Sequence, residues 1–118
     1  MQIVGKNVEN LACDYLQQQG FKLVTANYSC QLGEIDLIMG DKDVLVFIEV
    51  RYRKNINYGD GAATVNKSKQ DKLKKTAAYY LQKQNLYDKV VCRFDVVAVS
   101  GKYMDKLDWI KDAFWGNW

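Results

Sequence analysis

Acidic side chains sit inside two otherwise apolar runs, Gly-Glu-Ile-Asp-Leu-Ile-Met at 33–39 and Asp-Val-Leu-Val-Phe-Ile-Glu-Val-Arg-Tyr-Arg at 43–53. Only Gly40, Asp41 and Lys42 separate the two runs, which predicts a β-hairpin. Side chains alternate faces along a strand, so Glu34 shares a face with Asp36, and Glu49 with Arg51. With a turn centred near residues 41–42, Asp36 falls opposite Glu49 or about two positions away. If paired positions sum to an odd number such as 85, then Glu34, Asp36, Glu49 and Arg51 project from one side. The other side would then carry Ile35, Leu37, Ile48 and Val50, an apolar set suited to packing under a helix. Neighbouring carboxylates repel, and partial burial makes either one harder to ionise. A divalent cation would offset both costs, and a donor set made of oxygen suits Mg²⁺ or Mn²⁺. The spacing also allows an alternative, in which the acids form ion pairs with Arg51, Arg53 and Arg93 near a sheet edge.

The elements around this hairpin are legible from periodicity. Val4, Val8, Leu11, Ala12, Tyr15 and Leu16 recur at helical spacing, predicting an amphipathic helix over residues 4–19 that Gly20 closes. Residues 21–29 alternate in part and predict a strand. Residues 54–66 carry two glycines around Asp60 and no periodicity, as a loop does. A second helix is predicted over 66–85, with Leu73, Ala77, Tyr80 and Leu81 on one face. The run Val-Val-Cys-Arg-Phe-Asp-Val-Val-Ala-Val-Ser at 90–100 is apolar almost throughout, which predicts a strand buried on both faces. Within it Arg93 and Asp95 share a face, and the expected role for Asp95 is to pair with an arginine beside the sheet. Support of a metal is the alternative. The tail, with three tryptophans and a phenylalanine in its last twelve residues, is expected to cover the core or a partner surface, or to stack on bases. The predicted order is α-β-β-β-α-β plus an aromatic tail, giving one α/β domain over 1–118 with a central mixed sheet flanked by helices.

Composition narrows the chemistry. The chain has 118 residues, 48% of them hydrophobic and 26% charged, as in an ordinary folded domain. It has no histidine, and its three cysteines, Cys13, Cys30 and Cys92, are scattered singly. Structural zinc sites and Ser-His or Cys-His nucleophiles therefore have no residues to build them. No apolar run is long enough to span a membrane, and no signal peptide is evident, so a cytoplasmic location is expected. Net charge is +3 over the chain, yet Arg51–Lys75 holds eight basic side chains against two acidic ones. A positive segment of this kind fits either a polyanion lying against it or a solvated helix face.

The motifs GKNVENLA, NYSCQLGEIDLI, VFIEVRYR, SKQDKL, CRFDVV and WIKDAF, in this order and spacing, resemble the YraN-like family of predicted bacterial endonucleases. That family is similar to the PD-(D/E)XK, or restriction-endonuclease-like, nucleases, and distantly to archaeal Holliday-junction resolvases. The resemblance implies a restriction-endonuclease-like fold, Mg²⁺ or Mn²⁺ as cofactor and DNA, branched or structured, as substrate. It allows a homodimer, because symmetric cutting of two strands takes two sites. Position by position it implies metal binding by Asp36 and Glu49, with the backbone carbonyl of Val50 as a further ligand. Glu9 matches an acidic residue near the metal, the alternative being a solvated helix glutamate. Lys69 and Gln70 match a basic or amide residue reaching the site from the second helix. Arg53, Lys54, Lys67 and Lys72 would join them in gripping phosphates, contacts that position a nucleic acid without reading its sequence. Arg51 is a departure, since the motif has lysine there. Arginine stays charged and cannot act as a general base, although it can hold a phosphate. The departure keeps open two other functions on the same fold: a nucleic-acid-binding module that cuts weakly or not at all, and a scaffold for protein interactions.

Overall fold

The structure, a computed structural model, describes residues 3–54 and 65–115. Helix α1 (Ile3–Gln18) leads into three strands, β1 (Lys22–Cys30), β2 (Gly33–Asp41) and β3 (Val44–Arg53). Helix α2 (Lys67–Lys83) follows, and then β4 (Val91–Ser100) and β5 (Lys106–Phe114). Gly20 closes α1 at φ 99, a left-handed conformation that glycine adopts without strain, and the Phe21 amide returns to the Leu16 carbonyl at 3.0 Å.

The strands form one mixed sheet in the order β1-β2-β3-β4-β5. Neighbours run antiparallel except β3 and β4, which are parallel, with α2 in the connection between them. Each helix covers a different set of sheet side chains, as alternation along the strands requires. Val8, Ala12 and Leu16 of α1 pack with Leu37, Met39, Val46, Ile48, Val97 and Val99. Leu73, Ala77, Tyr80 and Leu81 of α2 pack with Ile35, Ile38, Phe47, Phe94 and Val96. The result is a compact α/β domain, two helices on a five-stranded sheet. Among the described residues no helix is long and apolar enough to cross a membrane.

The hairpin register is the one that segregates charge from apolar surface: Leu37 pairs with Ile48, Ile38 with Phe47 and Met39 with Val46, each summing to 85. β4 is interior and buried over most of its length, as its apolar run predicts. Two expectations need correction. The aromatic tail is largely a fifth strand, so the order is α-β-β-β-α-β-β. Ile35 does not share a face with Leu37: it joins the α2-side cluster while Leu37 joins the α1-side cluster. Alternation in β2 changes between them, where the neighbouring strand carries Asn27 at φ 56 between the pairs Ala26–Leu37 and Tyr28–Ile35. Most of the predicted 54–66 loop lies outside the described residues.

Candidate active site

Strand β3 sets the site. Phe47 packs beneath α2 and Ile48 beneath α1, so Glu49, next but one to Phe47, comes out on the α2 face. The β2–β3 ladder reaches Leu37 and Ile48. Beyond that pair Asp36 bridges the strands with its side chain: the Val50 amide donates to Asp36 Oδ2 at 2.8 Å. The Asp36 and Glu49 carboxyls lie against each other, close enough to share a proton. Asp36 is half-buried, and the Glu49 side chain keeps only 11% of its exposure.

Burial and mutual repulsion govern the protonation of the pair. Burial pushes the Glu49 carboxyl up to about 7, the negative charge of Asp36 adds to the shift, and the charges of Lys69 and Arg51 oppose it. Asp36 is also raised, first by burial; the Val50 amide, the bond to Glu49 and the Lys69 charge reduce the shift without cancelling it. The site therefore holds two carboxylates at a real electrostatic cost. Its donor chemistry, carboxylate and carbonyl oxygen, is what a hard divalent cation takes.

An open cleft of about 320 Å³ begins at Glu49 and is lined by Val50, Arg51, Tyr52, Arg53, Asn66 and Lys69. The Lys69 ammonium stands 3.7 Å from Glu49 Oε2. The N-terminus of α2 is held firmly. Asn66 caps it, accepting the Lys69 amide at 2.8 Å, and the Gln70 side chain donates to the Val65 carbonyl at 2.8 Å.

The structure thus brings Asp36, Glu49, Val50, Arg51, Arg53 and Lys69 together. The Gln70 side chain donates to the Val65 carbonyl and so anchors the chain entering α2. Lys67 pairs with Asp71 at 2.9 Å, one helical turn on. Lys54 and Lys72 are exposed and Glu9 is half-buried. Among the described residues, no group of three acidic or cysteine side chains comes together, so the cluster consists of two carboxylates. Asp95 is on the opposite face and fully buried, where Arg93 binds it at 2.9 Å, which bears out its structural role. Sequence reasoning passed over Asn66 and Tyr52 as parts of the cleft. Asn66 carried a signal, a capping residue immediately before a helix; Tyr52 had none, and its hydroxyl reaches across the chain to the Gly101 carbonyl at 3.2 Å.

An α/β domain with paired carboxylates at the mouth of a cationic cleft is the class that sheet and site define. Comparison with known proteins gives the family. Residues 8–99 match the Uncharacterised protein family UPF0102, and the chain belongs to that family, the YraN-like group it resembles. A UPF0102 protein of Legionella pneumophila (strain Corby) is 47% identical over 110 residues, covering 93% of this chain and 92% of the relative. One of Coxiella burnetii (strain RSA 331 / Henzerling II) is 49% identical over 112 residues, covering 95% and 92%. One of Psychromonas ingrahamii is 51% identical over 110 residues, covering 93% and 88%.

Proposed function

We propose that this chain is a metal-dependent nuclease of restriction-endonuclease-like fold, hydrolysing phosphodiesters in branched or otherwise structured DNA. One observation carries the reading: two half-buried carboxylates held against each other at the mouth of a cleft lined by Arg51, Arg53 and Lys69. Carboxylates raised by burial and repulsion are a poor way to stabilise a fold and a good way to bind a hard cation. Mg²⁺ keeps several waters and needs only one or two carboxylates, so a two-acid cluster fits it.

Asp36 and Glu49 would hold Mg²⁺ or Mn²⁺, with the Val50 carbonyl as a further oxygen. Bound there, the ion would polarise a phosphate oxygen and make an attacking water more acidic. The protein's own groups do the rest. The Val50 amide fixes the Asp36 carboxylate, so one ligand oxygen is oriented before substrate arrives. Arg51 remains charged throughout and offsets the negative charge that develops on the phosphate. Arg53, at the rim, contacts the phosphate backbone, with Lys54 and Lys72 as outer contacts.

Incubation of the protein with branched, single-stranded and duplex DNA in Mg²⁺ or Mn²⁺ tests the reading. Asp36→Ala and Glu49→Ala should each abolish cleavage while circular dichroism stays unchanged. Cleavage that survives both substitutions would overturn it. Arg51 in place of lysine favours a second reading, a module that binds nucleic acid without cutting. It predicts binding that needs no metal and weakens steeply with salt, and no cleavage of any substrate.

A further inference from the structure

Lys69 sits at the carboxylate pair without a short bond to it. Its ammonium is 3.7 Å from Glu49 Oε2, beyond the 2.7–3.2 Å of an N–H···O hydrogen bond, and its side chain is 43% exposed. Its backbone, in contrast, is tied down. The Lys69 amide donates to the Asn66 side chain at 2.8 Å, the Gln70 amide to the Asn66 carbonyl at 2.9 Å, and the Gln70 side chain to the Val65 carbonyl at 2.8 Å. A four-carbon stem on a fixed root can swing through the cleft that Asn66, Arg51 and Arg53 also line.

Two carboxylates in contact need positive charge beside them, and Lys69 supplies part of it from helix α2. A divalent ion and this ammonium would compete for the same oxygen of Glu49. We propose that Lys69 is a displaceable placeholder: it balances Glu49 until a divalent cation takes that oxygen, then turns into the cleft to meet a substrate phosphate. The inference rests on the metal-site reading of Asp36 and Glu49 given above. It couples the two ligands, because each metal bound releases a cation for phosphate, and phosphate that holds Lys69 away favours the metal in return.

Calorimetric titration of Mg²⁺ into wild type, Lys69→Gln and Lys69→Arg separates the outcomes. Work at about pH 9 limits competition from protons for the carboxylate oxygens. Loss of the competing charge should tighten Mg²⁺ binding by Lys69→Gln roughly three- to tenfold, with Lys69→Arg close to wild type. Binding by Lys69→Gln that is equal to or weaker than wild type overturns the placeholder and leaves the metal site standing. Heat from none of the three proteins overturns the placeholder and the metal-site reading together. A second measurement avoids substitution altogether: the carbon-13 resonance of the Lys69 ε-carbon should shift on Mg²⁺ saturation of the wild type. A resonance unmoved while Mg²⁺ binds overturns the proposal.

Discussion

Asp95 and the Asp36–Glu49 pair are carboxylates of one sheet, on opposite faces, and their surroundings differ sharply. Asp95 is fully buried on the α1 side and fully served: Arg93 Nε and Trp109 Nε1 each donate at 2.9 Å, and the Asp112 amide donates at 2.9 Å. Arg93 also reaches Asp41 at 3.2 Å, so one guanidinium ties two carboxylates into a single network. Asp36 and Glu49, on the α2 side, lie against each other; the Val50 amide donates to Asp36, and the Lys69 ammonium stands 3.7 Å from Glu49. Burial alone therefore does not mark a functional acid. The mark is two acidic groups pressed together, both raised by burial, beside an opening to solvent.

Asp95→Ala leaves Trp109 and the Asp112 amide without their acceptor and Arg93 with Asp41 alone, and should cost roughly 3–5 kcal/mol in chemical unfolding, with or without Mg²⁺. A cost no larger than that of a surface substitution would remove the structural half of the contrast.

Glu49→Gln should act in the other direction. Glu49 titrates at about 7 in the fold against an ordinary 4.5. A carboxyl raised in this way contributes stability that is fully present below 4.5 and is lost as pH rises through 7. Without metal, the variant should therefore match wild type at acid pH and exceed it above neutrality, by on the order of 2–3 kcal/mol. Wild type and variant with parallel pH profiles would show that the pair carries no such cost.

Two smaller effects sharpen the contrast. Trp109→Phe keeps the ring edge-on to Phe21, with centroids 5.4 Å apart in the native protein, but removes the indole donor to Asp95. A loss of about 1–2 kcal/mol in unfolding free energy, read from denaturant titration, is expected. Asn66→Ala removes the cap of α2 and should cost about 1 kcal/mol by the same measurement.

What the chain discloses before folding follows the same division. The hairpin register was legible because a short turn containing Gly40 and Asp41 leaves few pairings, and only one segregates Asp36 and Glu49 from Leu37 and Ile48. The approach of Lys69 to Glu49 was not, since the resemblance put Lys69 near the site but only tertiary packing of α2 sets the distance. The fifth strand was hidden for a physical reason. Phe94 pairs with Phe114 while Val96 pairs with Ile110, so β5 bulges, and alternation fails in the middle of the aromatic tail. The Asp95 carboxylate holds that bulge by accepting the amide of Asp112, which sits at φ 57. A residue far away in sequence thus creates the irregularity that masks the strand. Ile35 changed faces for a related reason, with Asn27 at φ 56 beside the point where β2 loses its alternation.

The central claim is that Asp36 and Glu49 form a site made for a divalent cation, whereas Asp95 is a structural acid. Thermal unfolding of wild type, Asp36→Asn and Glu49→Gln at pH about 8, with and without Mg²⁺, tests it most directly, because a ligand that binds only the folded state raises its midpoint. Mg²⁺ should raise the wild-type midpoint and leave both variants where they were. A Mg²⁺ shift that persists in both variants, or none in wild type, would contradict it.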